Sequence, residues 1–134
     1  MKSNQDLNIK NIRVKLRAKL NPTEDQTKVE NSIRNILGEK ITIKKSEDDY
    51  LIVEDDLSSL SIIRKLIIKN EFEELAMNIF EKNRTDSSIM FFVNKQAAYN
   101  NTFHMIDENM SPLGDIEITV ESNQIDEVIQ WITS

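Results

Sequence analysis

Ile12-Arg13-Val14-Lys15-Leu16-Arg17-Ala18-Lys19-Leu20 alternates between apolar and basic residues at every step. Side chains two apart share a face of an extended chain, so this period sets five apolar groups against four cations on opposite faces of a β-strand. The apolar set needs a core. Four like charges on the other face repel one another and need water, acidic neighbours or an anionic partner. A sheet buried on one side only is the architecture that accepts such a strand.

Asn21-Pro22-Thr23-Glu24-Asp25-Gln26 follows and reads as a helix entrance. Thr23 with Gln26 three residues later has the form of a capping box. Glu24 and Asp25 then fall in the first turn, where the positive end of the helix favours acids. The helix is predicted to run to about Leu37 with Val29, Ile33, Ile36 and Leu37 on one face, and Gly38 is its natural stop. Ile41 and Ile43 open a short strand and residues 50–53 form the next, with Ser46-Glu47-Asp48-Asp49 as the hairpin loop between them. Leu60, Ile63, Leu66 and Ile67 give residues 57–69 a helical stripe, and Phe72, Leu75, Ala76, Ile79 and Phe80 do the same for residues 71–82. Lys69-Asn70-Glu71 breaks the pair. Residues 89–93 predict a strand, residues 102–106 its hairpin partner, and residues 107–114 a turn holding Pro112 and Gly114. Ile116, Ile118 and Val120 alternate again. Asn123 is the expected cap of a last helix that buries Ile125, Val128, Ile129 and Ile132.

The order β-α-β-β-α(α)-β-β-β-α predicts an α+β fold, a largely antiparallel sheet with helices packed on one face. Residues 1–8 are polar and predict a disordered N-terminus; residues 9–134 predict one domain.

Composition narrows the function classes. The 134 residues contain no cysteine and one histidine, His104, which removes thiolate metal sites, cysteine nucleophiles and histidine clusters. His104 sits between Phe103 and Met105 and reads as a structural side chain. No stretch reaches the 18 apolar residues of a membrane span, and the first ten residues lack the apolar core of a signal peptide, so a cytoplasmic protein is expected. The net charge is −6, unevenly placed: residues 1–45 carry +6 and residues 46–134 carry −12. No P-loop, dinucleotide fingerprint or Ser/His/Asp set is present, and two glycines build little of a phosphate-cradling loop. Non-catalytic binding without a cofactor is the expectation. The acidic runs Glu47-Asp48-Asp49 and Glu54-Asp55-Asp56 lack the spacing and glycine of a calcium loop and read as solvated turns.

Asn21-Pro22-Thr23-Glu24-Asp25, Asn94-Lys95-Gln96-Ala97-Ala98 and Ser111-Pro112-Leu113-Gly114, together with Ile125, Asp126 and Trp131 near the end, carry a resemblance. In that order they resemble a small uncharacterised archaeal family labelled a predicted exosome subunit, over residues 9–132. The resemblance implies an α+β fold like that of the ribosomal protein that binds 5S ribosomal RNA, and a tendency to form homodimers. This chain departs from the family at Lys69-Asn70-Glu71, where members usually carry more arginine, so any RNA contact falls mainly to the first strand.

Two segments are therefore candidates. Arg13, Lys15, Arg17 and Lys19 form an evenly spaced column suited to the phosphates of structured RNA. Asn94, Lys95 and Gln96 offer an ammonium between two amides, suited to a phosphate or a base edge, or to satisfying a turn. No metal ligand set is expected. The competing reading is a homodimeric protein-interaction module that binds no nucleic acid, its cations being a solvated face.

Overall fold

The computed structural model describes residues 11–134; the expected N-terminal disorder lies outside them. The elements are β1 (Arg13–Lys19), α1 (Gln26–Leu37), β2 (Lys44–Lys45), β3 (Tyr50–Asp55), α2 (Leu57–Lys69) and α3 (Glu73–Lys82). Then come β4 (Ser88–Val93), α4 (Lys95–Tyr99), β5 (Met105–Ile106), β6 (Ile116–Glu121) and α5 (Ile125–Ile132). The six strands form one antiparallel sheet in the order β2-β3-β1-β6-β4-β5. The chain is α+β, as its periodicities predict.

The alternation of β1 decides its place. Val14, Leu16 and Ala18 are at most 1% exposed and sit under the helices, while Arg13, Arg17 and Lys19 stand exposed on the opposite face. β1 is central and pairs with β3 on one side and β6 on the other. Between sheet and helices, Leu16, Phe91 and Ile118 meet Ile33, Leu60, Ile63, Ile67, Phe80 and Val128 in a single core. Phe80 packs edge-on against Phe91 with ring centroids 5.6 Å apart, the arrangement that aromatic quadrupoles favour.

Several local expectations are corrected. The cap of α1 is Asp25, whose side chain accepts from the Thr27 N–H, and Thr23 lies in the preceding turn. Glu24 is outside the helix, taken by a distant partner described below. Asn123 does not cap α5; Gln124 holds that position, and its N–H donates to Ser122 Oγ. The Ile41 strand shrinks to Lys44–Lys45, because Ile41 and Ile43 turn toward the core instead of joining the ladder. The partner of β4 is only Met105–Ile106. The segment before it folds as α4, a five-residue helix where the residues suggest a turn. The break between α2 and α3 falls where expected, with Glu71 at φ +58.

Candidate functional site

The register places every outward side chain of the sheet. Across β1, Lys15 faces Glu54 on β3 and Thr119 on β6, and Arg17 faces Ile52 and Glu117. Arg13 faces Glu121, and Lys19 faces Tyr50. The predicted column Arg13, Lys15, Arg17 and Lys19 is therefore assembled on the face away from the helices, its members about 7 Å apart along the strand. Lys44 on β2 lies opposite Ile52 and extends the positive area toward that edge. This face holds five cations and three carboxylates, Glu54, Glu117 and Glu121, on a chain whose net charge is −6.

The cations are partly engaged. Lys15 Nζ lies 3.3 Å from Glu121, and Arg17 Nε lies 3.9 Å from Glu117, each pair substantially exposed. Exposed pairs of this kind contribute little, about 0–1 kcal/mol. The Arg17 guanidinium lies over the Tyr50 ring, 4.3 Å from its centroid, and Lys19 Nζ is 5.6 Å from the same ring. Beyond β6, Met90, Phe92 and Ile106 continue this face as half-buried apolar groups. The cations are legible in sequence but the aromatics beside them are not, because Tyr50 and Phe92 join this face only through strand pairing.

Asn94, Lys95 and Gln96 lie elsewhere. Asn94 caps α4, its side-chain oxygen accepting from the Ala97 N–H. Gln96 is exposed. Lys95 is 5% exposed and turned inward. Its ammonium donates to the Lys19 carbonyl at 2.8 Å, to Glu24 at 3.0 and 3.1 Å, and to the Leu113 carbonyl at 3.1 Å. Glu24 in turn accepts from the backbone and side-chain N–H groups of Asn21, and the Asn21 amide also reaches the Leu113 carbonyl. Asn94 donates to Ser111 Oγ. The three motifs that carry the family resemblance thus converge on one buried ion pair. That pair ties the end of β1 to the 107–114 turn and to α4. Burial alone would push the Glu24 carboxyl up, but the Asn21 donors and the Lys95 ammonium outweigh it and hold the group below the ordinary range.

Beside this junction α1 and α4 enclose an open cleft of about 540 Å³, lined by Thr23, Asp25, Lys28, Gln96, Tyr99 and Leu113. Lys28 Nζ stands 5.7 Å from the Tyr99 ring. Four members of the acidic runs have local partners: Asp48 accepts from Ser46, Asp49 pairs with Lys45, Asp55 accepts from Ser59, and Asp56 caps α2. Asp48 also feels the charges of Arg17 and Lys19 at the end of the column. Among the described residues no cluster of three metal-ligating side chains occurs. His104 is exposed, and its backbone carbonyl accepts from Asn94.

Fold and face together define an open-sheet α+β protein with a row of cations on the side that, among the described residues, no helix covers. A family model described as RNA binding matches residues 13–122, and the chain belongs to that family. Its relatives carry the name UPF0201 protein. The one from Methanothermobacter thermautotrophicus is 35% identical over 121 residues, 90% of this chain and 89% of its own. The one from Pyrobaculum islandicum is 34% identical over 115 residues, 82% and 80% of the two chains. Among solved structures, an uncharacterized UPF0201 protein matches with a TM-score of 0.73 at 28% identity, over 84% of each chain. The UPF0201 protein from Methanococcus jannaschii matches at 0.71 and 26%, over 90% of this chain and 95% of its own.

Proposed function

We propose that this protein binds RNA without catalysing a reaction on it, and that Arg13, Lys15, Arg17 and Lys19 contact the phosphates. The observation that carries this reading is the placing of all four cations at the centre of the sheet face that, among the described residues, no helix covers. The RNA-binding description of the family supports it. A phosphate backbone laid along β1 meets a positive group about every 7 Å, and each contact releases counterions from the RNA. The buried Lys95–Glu24 pair serves the same face indirectly, because Lys95 holds the Lys19 carbonyl and so fixes the end of the column.

Filter binding to a structured RNA across a salt series tests the proposal. Three or four phosphate contacts give a slope of log K against log salt of about −3. Arg17→Glu places an anion in the middle of the column and is expected to weaken binding at least about tenfold. Absence of binding at low salt, or binding that Arg17→Glu leaves unchanged, overturns it.

A further inference from the structure

From the apolar and aromatic groups around the cations, and resting on the RNA-binding reading, we infer that the open face takes single-stranded RNA, including the unpaired loops of a folded RNA, with bases stacked on Tyr50 and Phe92. Charge alone is a weak grip here. The face has two more cations than carboxylates, and Glu121 and Glu117 already stand beside Lys15 and Arg17. A second source of affinity is needed, and the same face supplies it. Tyr50 is half-buried, and the Arg17 guanidinium stands over its ring, which offers a base an aromatic ring and a guanidinium side by side.

Phe92 lies on the other side of the column, in register with Glu117, which is in register with Arg17. Tyr50 is in register with Lys19, two residues further along β1. Three strand spacings across and one two-residue step along put the two positions about 16 Å apart. Two rings flanking a row of cations at that distance match a strand whose phosphates run over β1 while its bases turn outward onto the rings. Ile52, Met90 and Ile106 complete an apolar floor around them. A duplex cannot use this floor, because its bases are stacked inside and its exterior is phosphate and ribose. It would cover apolar groups with charge. The unpaired base offers its flat face to the ring and its phosphate to the neighbouring cation, and each stacked base adds affinity with little sequence preference.

Fluorescence anisotropy with a labelled mixed-sequence single strand of about 12 nucleotides, and with the same strand annealed to its complement, tests the inference. The single strand is expected to bind about tenfold tighter than the duplex. Tyr50→Leu and Phe92→Leu are each expected to lower single-strand affinity about tenfold while leaving the salt slope unchanged, since no phosphate contact is lost. Tyr50→Phe and Phe92→Tyr keep the rings and retain the affinity, which separates stacking from misfolding. Equal affinity for single strand and duplex, or insensitivity to both leucine variants, overturns base stacking while phosphate binding stands. Binding of neither RNA overturns both readings. If sedimentation instead shows that Phe92→Leu dissociates a dimer without changing RNA affinity, the apolar floor belongs to a second copy of the chain and the inference fails.

Discussion

At the scale of single residues, the most consequential interaction is Lys95 with Glu24. Side chains 71 positions apart meet at 7% and 12% exposure. Removing one member of such a pair leaves the other charge buried and unpaired, which costs far more than the pair contributes. Lys95→Ala is expected to destabilise the fold by about 3 kcal/mol and to lower the unfolding midpoint by roughly 10 °C; calorimetry reads this, and a midpoint within a degree or two of wild type would refute it. The sign of the pH dependence follows from Glu24. Its folded carboxyl titrates below its ordinary value of 4.5. The stabilisation is therefore present in full above about pH 4.5 and is lost as pH falls through the lowered folded value. Glu24→Gln removes this component, so its midpoint falls less steeply with acid over the same window.

At the scale of elements, Gly38 closes α1 at φ +96 and ψ 174, a conformation nearly confined to glycine. A methyl group there meets Ile62 Cδ1 at 2.5 Å, but that atom is the end of a flexible side chain and gives way. The backbone decides the cost. Gly38→Ala is expected to lose about 1–3 kcal/mol, and trimming the neighbour with Ile62→Val is not expected to restore it; recovery in the double variant would show that the clash dominates. How far the elements were legible follows from the same physics. A sheet solvated on one side imposes period 2, so β1 and β6 are legible from alternation, whereas β4, apolar on both faces at Met90 and Phe92, is legible only as a short apolar run. α4 is not legible, because five residues are too short to display a helical period. Thr23 looked like a cap because capping rules see only nearby residues. What removed Glu24 from the first turn is a lysine on a different helix. The basic column was visible in sequence, whereas its aromatic and acidic neighbours depend on which strands pair and in what register.

At the scale of the whole molecule, a chain of net charge −6 gathers the four cations of β1 on one sheet face and then places Glu117 and Glu121 among them. If the face is only a solvated exterior, those glutamates relieve repulsion within β1 and nothing more. If it binds RNA, they are competitors that each phosphate must displace, and they restrain indiscriminate attachment to polyanions. The two roles predict opposite gains and losses. Replacing both glutamates with glutamine removes two exposed pairs, each worth about 0.2–1 kcal/mol, so stability falls slightly under either role. Only under the binding role does RNA affinity rise, by several-fold at low salt, with a steeper salt slope as Lys15 and Arg17 become free to neutralise phosphates. Measuring unfolding and RNA affinity on the same double variant, Glu117→Gln with Glu121→Gln, decides between them. A small loss of stability with stronger RNA binding assigns the face to RNA. The same loss with unchanged affinity returns the four cations of β1 to the solvent.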